Sequence, residues 1–316
     1  MPEAIPVVDL FAGAGGLSLG LRDAGFEPVA AVEAMEEAAA TYEAAHGVAV
    51  DRRRVEELPL RELRALRGRA TVVAGGPPCQ PWSTGGLRRG AGDPRDGFGA
   101  MLRALEAIRP DAFVVENVAG LQRGRARPAF VALVDALVGL GYAVSAQTLD
   151  AADFGVPQRR RRLFLVGVRD PGRPFAFPEP THGPGRASAW VPAGTAVGAA
   201  PAGEPNPSAV TYAKRPDLRP SPYDGLLVNG GGRPIDLTAP ARTVLASAGG
   251  NKTAFVDTLG VLPDYHARLW RAARSGGEEA VARLVRGGRV DGARRLTVEE
   301  SAALQTFPPG MAFAGS

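Results

Sequence analysis

Short apolar runs alternate with helix-like stretches through the first half of this chain, and that rhythm restricts the fold more than any other feature. PVVDLF (6–11), EPVAAVEA (27–34), RATVVAGGPP (69–78) and DAFVVENVAG (111–120) read as strands. Between them stand LSLGLRDAG, MEEAAATYEAAHG and MLRALEAIRP, whose apolar spacing is helical, with Gly47 closing the second. ARPAFVALVDALVGLGY continues as helix, AVSAQTLDA and RRLFLVGVRD as strands. Strands that are apolar throughout are buried on both faces. The expectation is therefore an α/β fold with a doubly wound, mostly parallel sheet.

From Pro171 to about Asn229 the texture changes to dense Pro, Gly and Ser, as in PGRPFAFPEPTHGPGR and EPNPSAVTYAKRPDLRPSPYDG. Interspersed Phe, Trp and Tyr make this a smaller, loop-rich domain rather than a disordered linker. Near the end, RRLTVEESAALQTFP offers Thr297 as a helix N-cap and Glu300 as its capping-box partner.

Composition excludes several classes. No stretch approaches the roughly 20 apolar residues of a membrane-spanning helix, and MPEAIPVVDL lacks the basic-then-apolar layout of a signal peptide. These features point to the cytoplasm. The single cysteine, Cys79, rules out an internal disulfide and any multi-cysteine metal site, and no metal is expected. Net charge is +4, carried almost entirely by arginine, since Lys214 and Lys252 are the only lysines. Arginine suits phosphates and guanine edges; a GC-rich coding sequence produces the same bias, and composition does not separate the two.

Chemistry concentrates at three places. DLFAGAGGLSLGL (9–21) sets glycines between a strand and a helix, the layout for a nucleotide-type ligand at a helix N-terminus. It lacks the dinucleotide G-x-G-x-x-G spacing. Seventeen residues beyond Gly16 the next strand ends in Glu33, placed to accept from ribose hydroxyls. The alternative is a tight turn followed by a surface Glu. GGPPCQPWS (75–83) holds Cys79 just past a strand's carboxyl end, after two prolines that fix the backbone. A structural cysteine usually sits among apolar residues inside an element; this one is mounted as a nucleophile. Glu116 in VVENV, at the end of the next strand, is its acid–base partner.

GGPPCQPWS, ENV and FGVPQRRRRLFLVG, following DLFAGAGGLSLG in that order, resemble the cytosine-5 DNA methyltransferases, of the bacterial modification type, over nearly the whole chain. The resemblance implies an S-adenosylmethionine-dependent methyltransferase fold, with S-adenosylmethionine as cofactor and double-stranded DNA as partner. It assigns Phe11, Ala12, Gly13, Gly16, Leu17 and Pro77 to the cofactor, Glu33 to its ribose, Asp51 to its adenine amino group, and Phe98 to its vicinity. Cys79 becomes the nucleophile toward C6 of a flipped cytosine, and Pro78 and Glu116 hold the base. Arg160 and Arg162 are the paired arginines of QRRRR, Arg162 reaching the base and the thiolate. Gln80, Ser83, Asn117, Val118, Gln158, Thr243, Gly249 and Gly250 fall to the substrate side. Gly85, Gly86, Gly90, Gly92 and Gly97 suit a loop that closes over the flipped base. Arg215, Arg219, Arg242 and Lys252 are either phosphate or base contacts or solvated surface charges. The implied domains are a catalytic and cofactor-binding domain over 1–180, a target-recognition domain over 181–290, and a return segment over 291–316 packing on the first.

Two departures stand out. Glu33 is followed by Ala34 and Met35, where the family carries a bulky residue and an Asp. After LQTFP the family continues into a Gly-Asn-bearing helix, and this sequence stops at GMAFAGS. The expectation is truncation, or a second polypeptide supplying that helix, with weakened activity for this chain alone; otherwise the protein is expected to be monomeric. The competing functions are an RNA cytosine-5 methyltransferase and a catalytically impaired DNA-binding homologue. The RNA branch's Cys-Phe-Thr insertion cannot occur here, since Cys79 is the only cysteine.

Overall fold

The computed structural model describes residues 4–78, 97–170, 172–246 and 248–315. It divides into two compact units. The first comprises residues 1–149, 161–179 and 311–316, the second 150–160 and 180–310.

The first unit contains β1 (Ile5–Leu10), α1 (Gly16–Asp23), β2 (Phe26–Val32), α2 (Glu36–His46), β3 (Val50–Asp51), α3 (Leu60–Ala65) and β4 (Val72–Gly75). It continues with α4 (Gly97–Ile108), β5 (Ala112–Val118), α5 (Arg127–Gly139) and β6 (Ala143–Asp150), whose last residue clusters with the second unit. After β7 (Gln158–Arg159), which belongs to the second unit, β8 (Arg161–Val168) returns to the first. The sheet order is β3-β2-β1-β4-β5-β8-β6. β3, β2, β1, β4 and β5 pair in parallel, and β8 runs antiparallel to β5. This is the mostly parallel α/β sheet that the apolar runs predict.

The pleat decides which helix covers which face. In β1, Val8 and Leu10 point into the larger core with Val73, Phe113 and Val115, against Leu63 of α3, Met101 and Leu105 of α4, and Leu133 and Leu137 of α5. Val7 faces the other way, with Val72 and Ala74, and meets Leu17 and Leu21 of α1. Successive strand residues alternate sides, so a fully apolar β1 needs helices on both. Gly47 closes α2 in the left-handed conformation at φ 68°, as its position in the sequence indicates. The terminal segment returns to α2, where the Ala314 N–H donates to Thr41 Oγ1 at 2.9 Å.

The second unit is built of α6 (Ala193–Ala199), β9 (Tyr212–Asp217), β10 (Leu226–Val228), β11 (Ala241–Arg242), β12 (Phe255–Asp257), α7 (Val261–Ala282), β13 (Ala293–Arg295) and α8 (Val298–Ala303). Its strands join only in pairs: β9 with β10, β12 with β13, and β11 with β7. The Pro- and Gly-rich segment therefore folds, Val210, Tyr212, Leu227 and Val228 sharing a core with Phe255 and Leu269, and Ala193 sharing one with Val256 and Leu304.

α8 begins as its sequence prescribes. The Glu300 N–H donates to Thr297 Oγ1 at 3.1 Å, and Glu300 Oε2 accepts from the Thr297 N–H at 2.9 Å. The same carboxylate takes a two-pronged bond from Arg294, at 2.6 and 2.7 Å. Thr297→Ala is expected to lower stability by about 1 kcal/mol, measurable as a shift of the denaturant midpoint at unchanged slope.

Candidate active site

The glycine-rich turn leaves β1 at Leu10 and enters α1 at Gly16. Phe11 and Gly13 adopt φ of 57° and 56°, and Gly15 caps the helix at φ 86°. A non-glycine residue in that region carries strain, so Phe11 is held there by its surroundings. The Ala12 N–H bonds to Val32 O at 3.1 Å, and the Gly15 N–H to Ala12 O at 3.1 Å. Ala12 is buried with Ala31, Ala39, Tyr42 and Val50, and Leu17 packs under the sheet. Of these residues, the turn's backbone is the part available to a ligand.

Glu33 is locked onto this turn. Its Oε2 accepts from the Gly13 N–H and its Oε1 from the Met35 N–H, both at 2.8 Å. Its own N–H reaches Asp51 O at 3.0 Å, tying the ends of β2 and β3 together. Asp51 is engaged by Arg53, at 3.0 Å to Oδ1 and 2.5 Å to Oδ2, and Arg53 also meets Glu62 at 2.7 Å. The Arg53 guanidinium holds the Asp51 carboxyl below its ordinary value, against a smaller opposing effect of burial.

Phe11, Val32, Glu33, Ala34, Arg53, Arg54, Val55, Glu56, Gly76 and Pro78 line a pocket of about 330 Å³, the lower end of the range for small-ligand sites. Phe11 and Glu33, which the resemblance assigns to the cofactor, and Pro78, which it assigns to the base, all line this pocket. Sequence reasoning missed the wall from Arg53 to Glu56. Arg103, on α4, fixes that wall by donating from Nη2 to Val55 O at 2.8 Å and Glu56 O at 3.0 Å. The available signal was position alone, directly after Asp51.

The other half of the site lies at the carboxyl ends of β4 and β5. Register pairs Gly75 with Val115, which brings Gly76 beside Glu116. The buried Asn117 donates from Nδ2 to Pro77 O at 2.9 Å and accepts from the Val118 N–H, so it anchors the chain as it leaves β4. Cys79, Gln80, Ser83, Gly85, Gly86, Gly90 and Gly92 lie outside the described residues; Pro78 is the last described residue before them. On the far side the Gly97 N–H bonds to Pro78 O at 3.3 Å, and buried Phe98 follows in α4. Arg162, opposite Val118 on β8, reaches across so that its Nε meets Glu116 Oε1 at 2.8 Å.

Arg160 clusters with the second unit, where its N–H bonds to Asp150 Oδ1 at 3.0 Å. Gln158 is fully buried there, and its amide is spent on Leu304 O at 3.2 Å and the Val244 N–H at 3.2 Å. Thr243 donates from Oγ1 to Arg159 O at 2.7 Å, while Gly249 and Gly250 are exposed. Arg242 is paired with Asp224, and Arg219 with Asp217 at 3.1 Å; Arg215 and Lys252 are exposed. A second-unit cavity of about 700 Å³ gathers Arg159, Arg233, Arg242, Thr243, Leu245 and Lys252 along its lining. Arg233 carries no local signal, and Arg159, although inside QRRRR, stands beside the two arginines that the family motif selects. Arg159 is fixed by Asp150 at 2.7 Å and by the Trp190 ring, 4.4 Å from its guanidinium carbon.

A pocket of about 550 Å³ among α3, α4 and α5 is lined by Arg64, Arg67, Arg103, Arg109 and Arg169, away from this chemistry. Several of these arginines bond backbone carbonyls there, Arg67 taking Ala107 O at 3.0 Å and Arg169 taking Pro110 O at 3.3 Å. Among the described residues no helix is long and apolar enough to cross a membrane, and no cluster of His, Cys, Asp and Glu is arranged to hold a metal ion.

The profile of the C-5 cytosine-specific DNA methylases matches residues 5–186. Type II methyltransferase M1.HphI of Haemophilus parahaemolyticus is 32% identical over 99% of this chain and 80% of its own length. M.MthTI of Methanothermobacter thermautotrophicus is 38% identical over 56% of this chain and 53% of its own. The chain spans about half the length of the first curated relatives it matches. In fold it resembles the S. pombe Dnmt2 methyltransferase (TM-score 0.65, 16% identity, 99% of this chain and 89% of that one). A mutant of Spodoptera frugiperda DNMT2 gives TM-score 0.65 at 17% identity, over 98% of this chain and 91% of that one. The sheet is thus that of the α/β methyltransferases. With a family profile over more than half its length, and a relative alignable along nearly all of it, the chain belongs to the C-5 cytosine-specific DNA methylase family.

Proposed function

We propose that this protein transfers a methyl group from S-adenosylmethionine to C5 of cytosine in duplex DNA, through a covalent bond between Cys79 and C6 of a flipped base. The observation that carries the reading is the Glu116–Arg162 pair at 2.8 Å, standing where β5 ends beside the exit of β4 toward Cys79.

The turn fits the cofactor. Space above Gly13 is open to at least 4 Å, and Glu33 is already oriented by two backbone donors. Carboxylate oxygens hold further lone pairs, so Glu33 can still accept from ribose hydroxyls. Phe11, Gly13, Gly16 and Glu33 would hold the cofactor, with Asp51 and the 53–56 wall near the base end and Pro77 and Phe98 at the border with the substrate. Bound there, S-adenosylmethionine supplies an electrophilic methyl group.

The chain's residues make cytosine a carbon nucleophile. The Cys79 thiolate forms a bond to C6, which pushes the 5,6 double-bond pair toward C5 and N3. Glu116 passes a proton to N3 as that density arrives, accepts from the exocyclic amine and takes the proton back when Cys79 leaves, while Arg162 holds the Glu116 carboxyl group and faces the adduct. Once C5 is methylated, a base removes its proton, the pair returns to the 5,6 bond, and Cys79 leaves as thiolate. The base must first leave the helical stack, at a cost of a few kcal/mol. Arg159, Arg233, Arg242 and Lys252 of the second unit supply cations for DNA phosphates and bases, with Thr243, Gly249 and Gly250 beside them.

Trapping tests this. Fluorine at C5 cannot leave as a proton does, so the Cys79 bond persists. The chain, S-adenosylmethionine and mixed-sequence duplex carrying 5-fluorocytosine should yield a denaturation-resistant band that the Cys79→Ala variant lacks. No band on DNA even with a C-terminal segment supplied overturns the reading, and a band on 5-fluorocytosine RNA alone moves the substrate to RNA.

A further inference from the structure

Beneath the glycine turn runs a series of side chains that the methyl-transfer chemistry does not use. Ser18 Oγ donates to Asp9 Oδ2 at 2.6 Å and accepts from the Tyr42 hydroxyl at 2.9 Å. The Tyr42 ring packs on His46, with centroids 4.3 Å apart. His46 Nε2 then lies 3.1 Å from the Gly15 carbonyl. The fit is close, since a Cβ on Gly15 would fall 2.5 Å from His46 Nε2 and 2.9 Å from the Tyr42 ring.

A carbonyl can only accept, so Nε2 carries the proton in this contact. Nδ1 is buried and has no hydrogen-bond partner among the described residues. A second proton there would be an unsatisfied buried donor. Burial accordingly pulls the imidazole below its ordinary value, helped by the charge of Arg22 and opposed by the bond to Gly15. The neutral Nε2–H ring is the form this site accommodates.

Gly15 O also accepts the first bond of α1, from the Leu19 N–H at 2.9 Å. Two donors on one oxygen set the plane of the Gly15–Gly16 peptide. In a trans peptide the Gly16 N–H points opposite to that carbonyl, and it is one of the donors a helix start leaves for a ligand. Bracing Gly15 O from behind therefore aims Gly16 N–H in front.

We propose that His46 is a positioning residue for the cofactor turn, which sets the affinity for S-adenosylmethionine through the Gly15 carbonyl without touching the ligand. The proposal rests on the reading of this turn as the cofactor site. It attaches a role to a residue at the end of α2, 13 positions beyond Glu33.

Calorimetric titration of the full chain with S-adenosylmethionine tests it. His46→Leu keeps an apolar filler and loses the donor; binding should weaken about three- to tenfold, the worth of one hydrogen bond. His46→Gln restores an N–H at similar reach and should recover most of that loss. In methyl transfer to DNA, the His46→Leu loss should fall on the cofactor KM rather than on kcat. Should His46→Leu fold poorly, amide exchange at Gly16 in the wild type and His46→Gln gives a second reading, with protection expected to appear in both when S-adenosylmethionine is added. Equal binding by His46→Leu and wild type, equal weakening in both variants, or a Gly16 amide that gains no protection when S-adenosylmethionine is added overturns the proposal. A wild-type chain that does not bind S-adenosylmethionine removes the cofactor reading and the proposal with it, an outcome distinct from the other three.

Discussion

Replacing Glu116 by glutamine is expected to slow methyl transfer by about 10²–10⁴-fold, the worth of a positioned acid–base group. Glutamine keeps the shape, and its oxygen can still accept from Arg162 Nε, 2.8 Å away in the wild type. What it loses is the acid–base group that exchanges a proton with N3 when the thiolate adds to C6. Glu116 is not part of the wall of the 330 Å³ pocket, so calorimetric binding of S-adenosylmethionine should be unchanged. Single-turnover rates on DNA carrying the mapped target provide the measurement. A rate within about tenfold of wild type would mean that another group handles N3.

The second large effect concerns stability. Asp9 is 1% exposed at the end of β1, and its Oδ1 has no partner among the described residues. Burial pushes its carboxyl up from 3.8 to about 7; the Ser18 bond opposes this and the charge of Glu33 adds to it. The folded chain therefore retains a proton that the unfolded chain releases above its own, lower pKa. Wherever the native state binds more protons, stability falls as pH rises. The Asp9 contribution is intact below pH 3.8 and is lost progressively up to about pH 7, at up to about 1.4 kcal/mol per pH unit. Asp9→Asn cannot ionise and removes this slope. Denaturant melts of both proteins from pH 5 to pH 8 should diverge, with the variant gaining on the wild type as pH rises. Parallel curves would show that Asp9 ionises in place without cost.

Much of the site was legible because its chemistry sits at strand ends, and strand ends are marked by local sequence. VVDLF followed by AGAGG places a turn after β1, and Glu33 and Glu116 each stand at or next to the carboxyl end of an apolar run. Thr297 and Glu300 announce α8 through spacing alone. The pocket wall from Arg53 to Glu56 was not legible, because it depends on Arg103 reaching it from α4, 47 and 48 residues further along the chain. Gln158 shows the same limit from the other side. Its place in QRRRR points toward substrate, while its amide holds Leu304 and Val244 together inside the second unit.

The sequence by itself determined the α/β class, the parallel start of the sheet, the glycine turn and the family motifs, since each follows from periodicity or from residues within a few positions of one another. Only the tertiary structure decided that β8 runs antiparallel beside β5 and so delivers Arg162 to Glu116. It alone set Glu33 across the Gly13 N–H and placed His46 behind Gly15. Those pairings join residues 20 to 46 positions apart, and which pairs meet is decided by strand order and by which helix covers which face of the sheet.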